Sequence, residues 1–211
     1  MQPDPPSTSG ALRRVVVLAG GSSRRLGSDK LVADLDGRGV LEALLDGVRA
    51  VAPDAELVVV GPAGRASAGA LVVSEDPPGG GPVAGLAAGL AAATMLADDD
   101  LVAVLAGDQP FGAAALPVLT TACGSGDRGL DGAVGVDAGG RDQPLLAVYR
   151  AGPLRRAVGP VPHGARVRDV VARLQLARIT VPASTALDVD TAEDLQRARA
   201  LAREEGGARR P

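Results

Sequence analysis

The chain has 211 residues, of which 46% are hydrophobic, and its formal net charge is −3. This length and apolar content suit one globular domain with a core of ordinary size. Aromatic residues make up 1% of the chain, so there is no aromatic platform on which single-stranded nucleic acid would stack. The mildly acidic composition also argues against a basic face for nucleic acid. Small molecules are therefore the expected partners.

The sequence contains a single cysteine, Cys123, which cannot form an intramolecular disulfide. The first residues lack the charged-then-apolar layout of a signal peptide, and no apolar run reaches the ~18 residues of a membrane-spanning helix. We expect a cytoplasmic protein that binds neither nucleic acid nor membranes. Residues 1–12 and 204–211 are expected to be disordered tails around a single domain at residues 13–203.

The first half of the chain alternates between two patterns. Short apolar runs rich in β-branched residues predict buried strands at residues 15–18, 57–60, 71–73 and 101–105. Helical patterns lie between or after them at residues 40–51, 83–96 and 113–123. This alternation predicts an α/β protein with a doubly wound, mostly parallel sheet.

The second half of the chain is less regular. Its patterns predict strands at residues 132–136, 144–149 and 179–181, and helices at residues 166–174 and 191–203. Thr191 is the expected N-cap of the last helix, because Asp194 occupies the capping-box position three residues later.

A glycine-rich segment, LAGGSSRRLGSDK at residues 18–30, follows the first predicted strand. In an open parallel sheet, ligands bind beyond the carboxyl ends of the strands. Gly20 and Gly21 allow main-chain N–H groups to approach an anion closely, and Arg25 and Lys30 add positive charge for a triphosphate. Lys30 is the only lysine among 22 basic residues. This favours a position that requires a compact ammonium, although chance survival on a solvated loop is the alternative.

Two familiar phosphate loops are excluded by the same segment. A Walker A loop needs G-x-x-x-x-G-K-[ST], but Gly27 is separated from Lys30 by two residues. The dinucleotide fingerprint G-x-G-x-x-G fails because Gly20 and Gly21 are adjacent.

Acidic residues follow two other predicted elements. Asp108, in LAGDQP, comes directly after a predicted strand and should share the crevice of the glycine loop, where a carboxylate could hold Mg²⁺. The alternative is a role in a turn or as an N-cap. Asp188 and Asp190, in LDVDTAEDL, form a second acidic element, which could instead serve the N-terminus of the following helix.

The glycine-rich segment resembles the signature loop of the molybdenum cofactor guanylyltransferases, L-A-G-G-x-S-x-R-[ML]-G-x-D-K, at each specified position. The resemblance implies a nucleotide-diphospho-sugar transferase fold of the GT-A, Rossmann-like type. It also implies that Lys30 and Arg25 act in catalysis. The nucleotide-binding residues that it implies in this segment are Leu18, Ala19, Gly20, Gly21, Ser23, Arg25 and Lys30.

LAGDQP resembles the L-x-x-D-x-P element of the same family, which implies that Asp108 binds the catalytic metal. LDVDTAEDL resembles the closing element N-x-N-T-P-E-[DE]-L, with aspartate in place of both asparagines and Ala192 in place of proline. It implies a second metal ligand at Asp190, since a carboxylate binds a hard cation more strongly than an amide, and a pterin contact at Asp188.

The segment at residues 75–90 resembles the family's E-D…G-P-L-A-G stretch, which implies nucleotide contacts at Asp76, Gly81 and Pro82. A carboxylate at Asp76 could read the hydrogen-bond donors of guanine, although a solvated turn residue is the alternative. Residues 141–144 resemble a D-H-P element with glutamine in place of histidine, and residues 163–171 resemble a helix start. Further pterin candidates are Asp142, Gln143 and Arg166. The resemblance covers about residues 14–203.

These elements together predict a Mg²⁺-dependent guanylyltransferase. It would transfer GMP from GTP to the phosphate of molybdenum-molybdopterin, release pyrophosphate, and pass the product to molybdoenzymes or cofactor-insertion proteins. One alternative is a related enzyme that uses CTP on molybdopterin, or a nucleotide on another small phosphorylated metabolite. Gly20 and Asp29 favour guanylyl transfer over this rival. A second alternative, from another class, is a non-catalytic nucleotide-binding regulator.

Overall fold

The computed structural model describes residues 11–20, 29–62, 69–124, 129–159 and 164–208, and only the helical backbone of residues 205–208. Two short 3-10 turns lie at Lys30–Val32 and Gly112–Ala115. The strands and helices, numbered in chain order, are β1 (Leu12–Leu18), β2 (Asp34–Leu35), β3 (Arg38–Gly39), α1 (Val40–Val51), β4 (Glu56–Val60), β5 (Leu71–Val73), α2 (Pro82–Ala91), β6 (Leu101–Ala106), α3 (Leu116–Gly124), β7 (Gly132–Val136), β8 (Asp142–Arg150), α4 (Ala151–Val158), α5 (Val167–Val171), β9 (Leu176–Thr180) and α6 (Ala192–Ala208).

Seven strands form one sheet in the order β5-β4-β1-β6-β8-β7-β9. The pairs β1–β4, β1–β6, β4–β5 and β7–β9 are parallel, whereas β8 runs antiparallel to both of its neighbours. The predicted α/β architecture with a doubly wound, mostly parallel sheet is therefore confirmed. β2 and β3 form a separate small hairpin.

Helices cover both faces of the sheet. Along β1, Val15 and Val17 join a core that includes the apolar sides of α1 and α3. Val16 points to the other face and packs in a core with α2, α4 and α5. Both cores are possible because successive side chains of a strand point to opposite faces. This burial on two sides explains why the central strands consist of unbroken apolar runs.

Several predicted elements have the boundaries that their patterns indicate. α1, β5 and β7 span residues 40–51, 71–73 and 132–136, as predicted. The capping box at the start of α6 is also confirmed. The Thr191 N–H donates to Asp194 Oδ2 at 2.9 Å, and the Asp194 N–H donates to Thr191 Oγ1 at 3.2 Å.

Other boundaries differ from the prediction. α5 is shorter than the helix predicted at residues 166–174, and β9 lies at residues 176–180 rather than 179–181. α4 was not predicted, since Gly152 and Pro153 in its first turn are typical of loops, although proline is tolerated there. β1 begins at Leu12, and α6 continues to Ala208, past the residue 203 at which the prediction ended.

α2 ends at Ala91, before the predicted boundary at residue 96, because Arg14 binds the end of the helix. The Arg14 side chain is fully buried, and its guanidinium donates to the carbonyl oxygens of Leu90 at 2.8 Å and of Gly89 at 3.3 Å. Its charge is balanced by Glu56, at 2.8 Å. This cap satisfies carbonyl groups that a helix end leaves unpaired and fixes α2 against β1.

α2 also approaches the sheet closely through two glycines. A Cβ on Gly89 would lie closer to Val16 Cγ1 than real Cβ atoms approach, whereas a Cβ on Gly85 would meet Val60 Cγ1 at 3.4 Å, an ordinary contact. The distance between helix and sheet is therefore set at Gly89.

We expect Gly89→Ala to lower the free energy of unfolding by about 1–3 kcal/mol, because an added methyl group would force α2 away from the sheet. Gly85→Ala is the matched control. It should leave the stability unchanged or raise it by up to about 1 kcal/mol, since alanine favours helix. Urea unfolding followed by circular dichroism measures both variants, and equal stability of the two would contradict the packing argument.

None of the helices in the described ranges is long and apolar enough to span a bilayer.

Candidate functional site

Three segments distant in sequence meet at the carboxyl ends of β1 and β6. The Gly107 N–H donates to the carbonyl oxygen of Leu18 at 2.9 Å, joining the segment after β6 to the end of β1. The Val189 N–H donates to the carbonyl oxygen of Asp108 at 2.9 Å. These bonds hold the acidic element before α6 beside the segment after β6, at the edge of the sheet where ligands bind in such folds.

Lys30 lies at the centre of this meeting point. Its ammonium donates to Asp108 Oδ2 and, at 2.7 Å, to Asp190 Oδ1. Burial by itself would lower the pKa of Lys30, but the hydrogen bonds and charges of the two carboxylates raise it above the ordinary value. The backbone of the 3-10 turn is fixed by Asp29, whose carboxylate accepts from the Leu31 N–H at 3.2 Å. The structure thus brings together the three side chains assigned to catalysis and metal binding that lie in its described part.

Asp188 completes the acidic cluster. Burial raises the pKa of this carboxyl to about 6, and the neighbouring charges of Asp108 and Asp190 act in the same direction. Its Oδ1 accepts a hydrogen bond from Gln109 Nε2 at 2.9 Å. Gln109 is 2% exposed and was not predicted as part of the site. Its position directly after Asp108 in the sequence was the available indication.

The cluster has more negative than positive charge among the described residues. Three carboxylates, of Asp108, Asp188 and Asp190, surround one ammonium, and Asp108 Oδ1 is buried with no hydrogen-bond partner among those residues. Such oxygen donors fit a hard divalent cation. However, no three acidic, histidine or cysteine side chains in the described ranges already converge on one metal position. The donors fit a metal, but Lys30 now occupies two of their oxygens.

The predicted nucleotide residues lie at the end of β1, after β5 and at the start of α2. Gly81, with a φ of +86°, precedes Pro82 at the first position of α2, so the positive end of the helix dipole lies there. β1 ends at Leu18, and the buried Ala19 leads from it to the exposed Gly20. Asp76 is exposed after β5.

Glu75, which was not predicted as a site residue, contacts this region. Its Oε1 accepts from the Gly79 N–H at 2.9 Å, and its Oε2 lies 3.6 Å from where a Cβ on Gly20 would be. Its position beside Asp76 in the sequence was the available indication. Gly21, Ser23 and Arg25 lie outside the described residues.

The predicted pterin residues do not all meet. Asp188 belongs to the cluster. Asp142 accepts from Arg178 Nε at 2.7 Å, and Gln143 Nε2 donates to Asp137 Oδ2 at 2.8 Å. Arg166 is exposed and precedes α5. The segment that leads to Arg166 lies beside the start of α2, because a Cβ on Gly81 would be 4.0 Å from the Gly164 Cα.

A cavity of about 390 Å³ adjoins the acidic cluster. Its lining includes Asp137, Arg141, Leu187, Asp188, Asp190 and Asp194. Hydrogen bonds keep the pKa of Asp137 below its ordinary value: the Arg141 N–H has the largest effect, and Gln143 and the Gly139 N–H add to it. The cavity therefore extends from Asp137 to Asp188 and Asp190. The predicted pterin residue Gln143 reaches it through its hydrogen bond to Asp137.

The charge excess predicts that Asp188 destabilises the metal-free fold. Its pKa is raised from 3.8 to about 6 in the folded protein, so ionisation costs stability. The cost is absent below about pH 4 and complete above about pH 6. We expect Asp188→Asn to raise the free energy of unfolding at about pH 7 by roughly 2–3 kcal/mol.

Urea unfolding in the presence of a chelator, repeated from acid to neutral pH, measures this effect. The exposed Asp54, in the turn after α1, supplies the control Asp54→Asn, which should change stability by less than about 0.5 kcal/mol. A stability difference for Asp188→Asn that is the same at both ends of the pH range would contradict the assignment.

A family model described as the MobA-like NTP transferase domain matches residues 15–179. None of the curated proteins compared with the chain matches it significantly.

Three solved structures share the fold. Molybdopterin-guanine dinucleotide biosynthesis protein A from Archaeoglobus fulgidus has a TM-score of 0.64 and 22% identity, over 90% of this chain and 99% of that chain. Rv0371C from Mycobacterium tuberculosis, in complex with manganese, has a TM-score of 0.66 and 22% identity, over 90% and 99%. The 2-C-methyl-D-erythritol 4-phosphate cytidylyltransferase from Thermus thermophilus has a TM-score of 0.61 and 23% identity, over 89% and 98%.

Proposed function

Because this chain belongs to the MobA-like NTP transferase domain family, we propose that it transfers GMP from GTP to the phosphate of molybdenum-molybdopterin and releases pyrophosphate. Family membership supports nucleotidyl transfer in general. The choice of guanine and of molybdopterin is supported by the loop at residues 18–30 and by the likeness to the protein from Archaeoglobus fulgidus. We also propose that the reaction takes place in the cytoplasm and that the product passes to molybdoenzymes or cofactor-insertion proteins.

The observation that carries the proposal is the contact of Lys30 with Asp108 and Asp190 beyond the carboxyl ends of β1 and β6. A lysine that neutralises phosphate and carboxylates that hold a metal must lie within one crevice if they are to act on the same triphosphate. Residues separated by 78 and 160 positions meet there. If Lys30 only formed a structural ion pair, the glycine-rich segment at residues 18–30 would have no role in it.

The metal of the proposal is Mg²⁺, with Asp108 and Asp190 as its ligands. Asp108 Oδ1, which has no hydrogen-bond partner in the described part of the chain, and the nearby carboxylate of Asp188 support a divalent cation at this position, as does the manganese complex of Rv0371C. When bound, Mg²⁺ would neutralise phosphate charge as pyrophosphate leaves.

The chain's own groups bind and orient the two substrates. Main-chain N–H groups at Gly20 and Gly21 and the cations of Arg25 and Lys30 grip the triphosphate, and Ser23 adds a hydroxyl. The acceptor is a phosphate monoester that is already ionised near neutral pH, so its attack on the α-phosphorus requires no strong general base. Catalysis then consists of positioning and charge neutralisation.

The remaining assigned residues select the substrates. Asp76 would accept hydrogen bonds from guanine, while Gly81 and Pro82 present the start of α2 to the nucleotide. The acceptor would lie towards the cavity beside Asp188. Its other proposed contacts are Asp142, Gln143 and Arg166.

A second candidate is cytidylyl transfer, to molybdopterin or to another small phosphorylated metabolite. It is favoured by the Thermus thermophilus cytidylyltransferase, whose fold this chain shares. A non-catalytic regulator would bind nucleotide without releasing pyrophosphate.

We expect Lys30→Ala and Asp108→Ala each to lower the rate of pyrophosphate release by at least about 100-fold, since the first removes a positive charge that neutralises the triphosphate and the second removes a proposed ligand of the metal. Release from GTP and molybdopterin is measured with a coupled phosphate assay, with folding checked by circular dichroism. Arg38→Ala is the control, because Arg38 forms an exposed ion pair with Asp46 at 3.3 Å. Near-normal rates in both site variants would end the proposal.

We expect GTP to be preferred over CTP, ATP and UTP by at least about tenfold in kcat/KM with molybdopterin as acceptor. Asp76→Asn should reduce this preference, because an amide cannot accept from both guanine donors. Asp99→Asn, which changes an exposed aspartate before β6, should not. A preference for CTP would favour the cytidylyl alternative, and nucleotide binding without pyrophosphate release would favour the regulator.

A further inference from the structure

We propose that Lys30 is a substitute cation: in the nucleotide-free protein its ammonium occupies the space between Asp108 and Asp190, and it leaves when a triphosphate binds, so that the metal enters together with the nucleotide. This inference rests on the proposed function of the site. The assignment of metal ligands does not say when the metal binds. The inference adds that the metal binds together with the nucleotide and that the two bindings are coupled.

The contacts of Lys30 are those that a metal would need. The ammonium takes Oδ2 of Asp108 and Oδ1 of Asp190, one oxygen from each of the two assigned ligands. At Asp108 this leaves Oδ1, which has no partner among the described residues. A divalent cation arriving alone would therefore find one carboxylate oxygen at Asp108 and a positive charge beside it. Repulsion between the two cations opposes metal binding in this state.

The ammonium is held there by the surrounding negative charge. The side chains of Lys30 and Asp108 are 21% and 20% exposed, so their attraction is screened less than that of a surface pair. Asp188, which lines the same cavity as Asp190, adds a further carboxylate beside the pair. Without a cation, three carboxylates would repel one another, and Lys30 is the described group that offsets this repulsion.

The same side chain is free to exchange partners. The backbone of its turn is fixed by the Asp29 carboxylate on the Leu31 N–H and by burial of the Leu31 side chain. The ammonium itself ends a flexible stem of four carbons, so it can move while the turn stays in place. A triphosphate offers it several anionic oxygens, and its departure frees the carboxylate oxygens for the metal. Nucleotide and metal must then strengthen each other's binding by the same factor.

Manganese binding without turnover tests this. The affinity of Mn²⁺ is measured by electron paramagnetic resonance for the wild type, Lys30→Met and Lys30→Arg, with and without α,β-methylene GTP. Without nucleotide, Lys30→Met should bind Mn²⁺ at least about tenfold more tightly than the wild type, and Lys30→Arg should remain weak because it keeps the charge. The nucleotide analogue should raise the wild-type affinity by at least about tenfold, and that of Lys30→Met by less.

The controls locate the effect. Lys30→Met combined with Asp108→Asn should lose the gain, which places the bound Mn²⁺ at the cluster. Arg38→Met removes a cation from a separate ion pair and should change nothing. Lys30→Gln, also neutral, replaces Lys30→Met if the methionine variant does not fold.

An Mn²⁺ affinity that is the same as the wild type, or weaker, in the folded neutral variant would overturn the inference. Tight Mn²⁺ binding to the wild type without nucleotide would also overturn it. Neither result would contradict the proposed function, which depends on pyrophosphate release. If the wild type releases no pyrophosphate but Mn²⁺ binding responds as expected to the Lys30 substitutions and to the analogue, only the proposed function is contradicted.

Discussion

The site depends on the balance of one ammonium against three carboxylates at a single edge of the sheet. The cluster exists because backbone hydrogen bonds bring its segments together: Gly107 to the end of β1, and Val189 to Asp108. Each bond uses a main-chain group, so the positions of Asp108 and Asp190 do not depend on the long-range attraction between side chains. Their charges are therefore held close together even where repulsion would separate them. This explains both the raised pKa of Asp188 and the contacts of Lys30.

The rest of the fold keeps this edge in place. β1 is buried on both faces and lies between β4 and β6, so its end cannot shift without disturbing two cores. α2 is fixed to the same strand at Gly89 and at the buried Arg14, and its first residues include the proposed nucleotide contact Pro82. A helix N-terminus and a cluster of charges are thereby oriented by one strand, as a site of positioning and neutralisation requires.

The sequence predicted the parts that depend on local pattern. The strands buried on both faces are continuous apolar runs, and α1 has helical periodicity, so their boundaries followed from composition. The end of α2 did not, because Arg14, which caps it, lies 75 residues away. The same limit applies to the site: Asp108 and Lys30 were predicted to share a crevice, since both follow strands of one sheet. The pairing of Gln109 with Asp188 depends on a contact between loops, for which a single sequence has no pattern.

The composition of the chain is explained by the same balance. All basic residues other than Lys30 are arginine, and at most surface positions the two are interchangeable. A guanidinium is a broad planar fork that suits bidentate pairing with one carboxylate, whereas an ammonium is a compact charge with three donors. Lys30 must reach single oxygens of two different carboxylates in a partly buried space, and in our proposal it must then move to a phosphate. A compact charge on a flexible stem satisfies both conditions, so an ammonium is retained at this position although the chain otherwise uses arginine.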